Sequence, residues 1–243
     1  MSEYLDDPTI LLPVNAADPE EPPPAIVELL HPHRVIVLGY YPVPDQASPE
    51  QLQDEYETEA TDAIAEIASH FDDSRGSVES IVVFTRDREE TIDRVAAERG
   101  VDAVLTAGDA GEVLSRVLVP LKGDVNIEPI VAFVGDLLRE SEAAVTLYHV
   151  ADSDEDESRG EFLLRGACDR LEEDGLDPDR IGWVQERAGS PASAIATTAE
   201  KFDLIVVGES NPTLRDRILG AVTSQLIVES THPVLVVRSD RSS

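Results

Sequence analysis

Cysteine is nearly absent from this chain: Cys168 is the single one in 243 residues. One thiol builds neither a disulfide framework nor a thiolate metal cluster. Set inside a predicted helix at Gly166-Ala167-Cys168-Asp169, it reads as a small buried side chain and not as a nucleophile. Lysine is almost as scarce. Lys122 and Lys201 are the only two, and Lys+Arg reach 19 against 50 Asp+Glu, a formal net charge of -31. With no basic patch or stripe to neutralise phosphates, nucleic acid is excluded as a partner. No apolar run approaches the ~20 residues that cross a bilayer. The start, Met1-Ser2-Glu3-Tyr4-Leu5-Asp6-Asp7, lacks the positive charge and apolar stretch of a signal peptide. A soluble, cytoplasmic protein is expected.

What the chain has in abundance is carboxylate, spread over every predicted helix with no acidic tail set apart. This reads as a solvated acidic shell suited to cytoplasm at very high salt, where self-repulsion is screened over a few ångströms. Beneath that shell, 42% of the residues are hydrophobic, enough for real cores.

The chain also repeats itself. Ile10-Leu11-Leu12-Pro13-Val14 returns as Val117-Leu118-Val119-Pro120-Leu121, and Asp102-Ala103-Val104-Leu105-Thr106-Ala107-Gly108 as Asp203-Leu204-Ile205-Val206-Val207-Gly208. The offset is about 100 residues, far beyond the roughly 20–50-residue periods of solenoids, so the repeated unit is a domain. After Gly208 the second copy runs on to a last strand, His232-Pro233-Val234-Leu235-Val236-Val237; after Gly108 the first copy stops. Two domains are expected, a truncated one at 1–115 and a complete one at 116–243.

Strands are predicted near 9–14, 34–40, 78–84 and 101–106, then near 116–121, 143–150, 180–187, 203–207 and 232–237. Helices are predicted between them. The one over 49–71 carries Leu52, Tyr56, Ala60, Ala63, Ile64, Ile67 and Ala68 at three- and four-residue spacing. The strands are continuous apolar runs, which requires burial on both faces and hence a parallel sheet covered by helices on each side. Right-handed crossovers make each sheet doubly wound. Ligands of such sheets bind beyond the carboxyl ends of the strands, where strand order reverses. The histidines offer little. His31 and His33 flank Pro32 in a turn with no third ligand near them, and His149, inside an apolar strand, reads as a satisfied core residue.

In order, Val117–Leu121, Leu147-Tyr148-His149-Val150, Gly189-x-Pro191 before a helix, Asp203–Gly208, a loop ending in Gly220 before a helix, and His232–Val237 resemble the universal stress protein domain. The resemblance spans roughly 116–238 in full, and the first half only as far as its fourth strand. It implies a five-stranded parallel sheet of order 3-2-1-4-5. Members that bind ATP carry a G-x2-G-x9-G-[ST] loop and an acidic residue after strand one. Here Gly208 and Gly220 match the outer glycines, but Asn211 replaces the middle one with only eight residues before Gly220. Ala221 replaces the hydroxyl, although Thr223 and Ser224 follow, and Lys122 and Asn15 stand where the acid is usual. The first half has no such loop.

The resemblance thus places a candidate nucleotide or anion site at Pro120, Leu121, Lys122, Val150, Gly208, Asn211, Arg215, Arg217, Gly220, Thr223 and Ser224, with ATP or AMP as the implied ligand. Lys122 either neutralises a phosphate with Arg215, Arg217 and the amides after Gly220, or forms a surface pair with Asp124 worth about 0–1 kcal/mol. No nucleophile–base pair, Walker lysine motif or carboxylate set at metal spacing is visible. The expected function is a non-catalytic regulatory or interaction module with a degenerate nucleotide loop. The alternative is an ATP or AMP sensor using the 208–224 loop. In the family the fifth strand is the dimer edge. Only the second half has one, so the truncated half is expected to pack against it as a pseudo-dimer and residues 233–238 to offer an edge to a second chain.

Overall fold

The computed structural model describes residues 8–71, 76–106, 108, 110–122, 127–209 and 232–238. The N-terminal part forms β1 (Thr9–Asn15), α1 (Pro24–Leu30), β2 (Arg34–Pro42), α2 (Pro49–Ser69), β3 (Val78–Thr85), α3 (Arg88–Arg99) and β4 (Ala103–Thr106). The C-terminal part forms β5 (Arg116–Pro120), α4 (Glu128–Leu138), β6 (Ala144–Ala151), α5 (Asp154–Glu173), β7 (Ile181–Arg187), α6 (Pro191–Ala199), β8 (Leu204–Gly208) and β9 (Val234–Val237). Local chemistry sets the helix ends. Asp87 caps α3 by accepting from the Glu90 amide, Ser153 caps α5 by accepting from the Asp156 amide, and Gly100 closes α3 at φ 61°.

Among the described residues the strands build one sheet of nine, in the order β3-β2-β1-β4-β9-β8-β5-β6-β7. Every pairing is parallel except β4 with β9, which is antiparallel, with Ala103 opposite Val237 and Thr106 opposite Val234. This corrects two expectations. The sheets are not separate, and residues 233–238 are not an outer edge. The reason lies in β4, whose outer side would be a row of unpaired amides and carbonyls without a following strand. β9 fills that position, so it is paired on both sides and has no edge left for a second chain. The seam is tight: Thr106 Oγ1 lies 3.2 Å from both the amide and the carbonyl of Val234. A Cβ on Gly108 would fall 2.4 Å from the Pro233 nitrogen.

Strand alternation divides the core. Ile10, Leu12, Val35, Val37, Val117, Val119, Leu204, Val206, Leu235 and Val237 face α1, α2, α4 and α5 in one continuous core under both parts of the chain. Their neighbours face the other way into two smaller clusters, Leu11, Ile36 and Leu38 under α3, and Leu118, Ile205, Val207, Val234 and Val236 against α6. Each fully buried Leu or Ile contributes ~1.5–3 kcal/mol. Helix α1 meets α4 across the seam, where buried His33 turns Nε2 to the Leu137 carbonyl at 3.4 Å. At the amino edge, paired aspartates do the same work in both parts. Asp102 accepts from the Thr9 amide at 2.8 Å, and Asp203 from the Ser115 and Arg116 amides at 2.9 and 2.8 Å.

Candidate functional site

At the carboxyl edge of β5 and β6 the strands open into a cleft of about 430 Å³. Its floor is Pro120, Leu121 and Val150, its rim Lys122, and its walls come from the first turns of α5 and α6. Leu121 is held from both of its backbone groups: its amide donates to the Tyr148 carbonyl at 2.8 Å and its carbonyl accepts from His149 Nδ1 at 2.9 Å. On the opposite face of β6, Tyr148 donates to Glu186 at 2.7 Å and accepts from Thr198. Burial, with the Glu186 carboxylate, pushes that phenol up to about 12.

Helix α5 brings carboxylates to the cleft: Glu155 and Asp156 lie on its first turn and Asp152 just before it. Arg159, the only cation on that wall, is ion-paired to Glu155 one turn back. Asp156 Oδ2 accepts from the Asp152 amide at 3.2 Å and lies 3.4 Å from His149 Nε2. The imidazole is buried, and Nε2 has no hydrogen bond of its own. The expectation of a satisfied core histidine therefore holds at Nδ1 and fails at Nε2. Gly160 explains how the ring fits, since a Cβ there would stand 2.2 Å from His149 Cδ2. Glycine in mid-helix costs about 1 kcal/mol against alanine, and this contact is the reason for it.

Of the residues picked out from sequence, Pro120, Leu121, Lys122 and Val150 meet in this one cleft. Gly208 ends β8 and does not line it. A Cβ at Gly208 would lie 2.4 Å from Ile130 Cδ1, so the glycine admits α4. Asn211, Arg215, Arg217, Gly220, Thr223, Ser224 and the proposed ion-pair partner Asp124 lie outside the described residues.

Sequence reasoning missed a second and larger cleft, about 660 Å³, at the carboxyl edge of β1 and β4. Asn15, Tyr40, Arg88, Thr106 and Pro233 line it. The Arg88 guanidinium stands 5.0 Å over the Tyr40 ring, and Asn15 Oδ1 is occupied by the Ala17 amide at 3.1 Å. The signal was weak because Pro233 reaches this edge only through the β4–β9 pairing.

A family model described as the universal stress protein family matches residues 114–238. The crystal structure of a universal stress protein from Archaeoglobus fulgidus DSM 4304 is similar at a TM-score of 0.65, with 16% identity over 97% of each chain. A functionally unknown protein from Pseudomonas aeruginosa PAO1 is similar at 0.54, with 14% identity over 96% of this chain and 93% of that one. A universal stress protein in complex with cAMP is 25% identical over 52% of this chain and 98% of its own, at a TM-score of 0.45. No curated protein matches the chain.

Proposed function

This chain belongs to the universal stress protein family, and on that premise we propose that it is a non-catalytic regulatory or interaction module whose nucleotide site has decayed. One observation carries the reading. Asp152, Glu155 and Asp156 face the cleft against Lys122 and Arg159, and Arg159 is already paired with Glu155. A polyphosphate entering there meets like charge in a partly water-excluded space, where repulsion is strongest. The chain reads as two consecutive copies of one α/β unit, the second whole and the first cut short, working in the cytoplasm behind an acidic shell. Because β9 is interior, self-association through residues 233–238 forms no part of the proposal.

Denaturing the purified protein and chromatographing the supernatant tests this directly. No stoichiometric nucleotide is expected, and ATP or AMP at about one per chain would overturn the reading. The sensor alternative draws support from Lys122, one of two lysines in the chain, standing at the rim of the cleft. Lys122→Glu separates the two. A sensor loses anion binding, whereas a module keeps its melting temperature and its partners.

A further inference from the structure

The sheet ends on β7, and nothing among the described residues pairs with the outer side of that strand. The Ala188 amide donates to the Ala151 carbonyl of β6 at 3.3 Å, so the even-numbered residues of β7 aim their backbone groups at β6. Trp183, Gln185 and Arg187 therefore aim theirs outward. The Ile181 carbonyl does so too, while the Ile181 amide is already bonded to Pro178. Trp183 stands beside Leu147 on the α5 face and Val184 beside Tyr148 on the α6 face, 40% and 47% exposed. The opposite edge is built differently. Among its described residues β3 exposes no large apolar side chain, and its Glu79 is ion-paired with Arg34 and Arg99. An open strand with apolar side chains on both faces is a template for another strand.

We propose that β7 pairs antiparallel with β7 of a second copy of this chain, about a twofold axis through Val184. Register and charge both select the strand's own copy. Setting Val184 opposite its counterpart places Trp183 opposite Gln185 and Ile181 opposite Arg187. Trp183 and Gln185 then exchange both of their backbone bonds, and the Arg187 amide reaches the Ile181 carbonyl. The ladder ends there, because the Ile181 amide is taken. Glu186 falls opposite Gly182 and Arg187 opposite Ile181, so no like charges face each other. The chain as a whole carries -31, yet residues 180–187 hold two arginines, Arg180 and Arg187, against the one Glu186. Two copies meet at this strand without the repulsion that the acidic helices impose. Because the contact is twofold, it closes on a dimer and consumes both open edges. The pairing needs no nucleotide and stands whether or not the cleft takes one.

Sedimentation of the full chain in molar KCl, which screens the acidic surface, should show a reversible monomer–dimer equilibrium in the micromolar range. Val184→Lys sets two like charges opposite each other across the axis. It should weaken association by roughly tenfold or more, with the melting temperature of the dilute protein unchanged, since Val184 is half exposed. Cross-linking reads the register. In a Cys168→Ala background, Val184→Cys should close a disulfide with its own counterpart under mild oxidation, the two Cα atoms standing about 4.5 Å apart. Arg187→Cys, set opposite Ile181, should not. Should Val184→Lys fail to fold, the two cysteine variants decide. Three outcomes overturn the proposal: a chain monomeric throughout, which would leave the edge to a strand of another protein; equal association in Val184→Lys; or a dimer that Arg187→Cys cross-links and Val184→Cys does not. None of them alters the nucleotide-release result, so the proposed function stands or falls separately.

Discussion

Asp93 on α3 lies 3.9 Å from Arg238, the residue after β9. Burial raises its carboxyl to about 6 against the pull of Arg238, with Glu209, Glu89 and Asp87 adding to the rise. A folded-state pKa above the unfolded one gives stability that is present in full below the unfolded value, 3.8, and lost as pH rises through about 6. Charged Asp93 is therefore a burden at neutral pH. Asp93→Asn should melt above the wild type at pH 7, and the difference should close as pH falls below about 4. Differential scanning calorimetry at matched salt checks it, and an unchanged gap across that range counts against the assignment. This residue also shows where sequence reading stops. Asp93 looks like any exposed helix acid until β9 brings Arg238 to its side.

Helix α5 carries a matched pair of glycines with opposite consequences. At Gly160 a Cβ meets His149 at 2.2 Å and Gln185 at 2.7 Å, whereas at Gly166 nothing lies within 4 Å. Gly166→Ala should stabilise by about 0.5–1 kcal/mol through helix propensity alone. Gly160→Ala gains the same propensity but overpacks the β6–α5 contact, and a net loss of about 1–3 kcal/mol is expected. Chemical denaturation of the two variants side by side measures both signs. The helices themselves were legible beforehand, since the 3.6-residue pattern of Ala60, Ile64 and Ile67 is carried by neighbours in the chain. Which glycine touches a partner was not.

Across the whole molecule, β9 joins β4 of the N-terminal part to β8 of the C-terminal part. Leu235→Pro removes a backbone donor from a strand bonded on both sides, where proline is excluded. A loss above about 3 kcal/mol is expected, together with two separated unfolding transitions in place of one. A single transition at unchanged denaturant concentration would show that β9 does not couple the two parts. The charge of -31 acts on the same scale. Melting temperature should climb as KCl is raised from low to molar concentration, because screening relieves self-repulsion.

The order of strands and helices and a mostly parallel sheet flanked by helices follow from the sequence by itself, because periodicity and turn chemistry act between residues close in the chain; that the outer strand β7 keeps Trp183 and Val184 exposed does not. The tertiary structure alone decided that β9 closes against β4, that Pro233 reaches the first cleft, and that His149 turns an unbonded nitrogen toward Asp156. These depend on satisfying backbone and side-chain polar groups between distant segments. Such saturation is a property of the assembled sheet and leaves no local pattern to read.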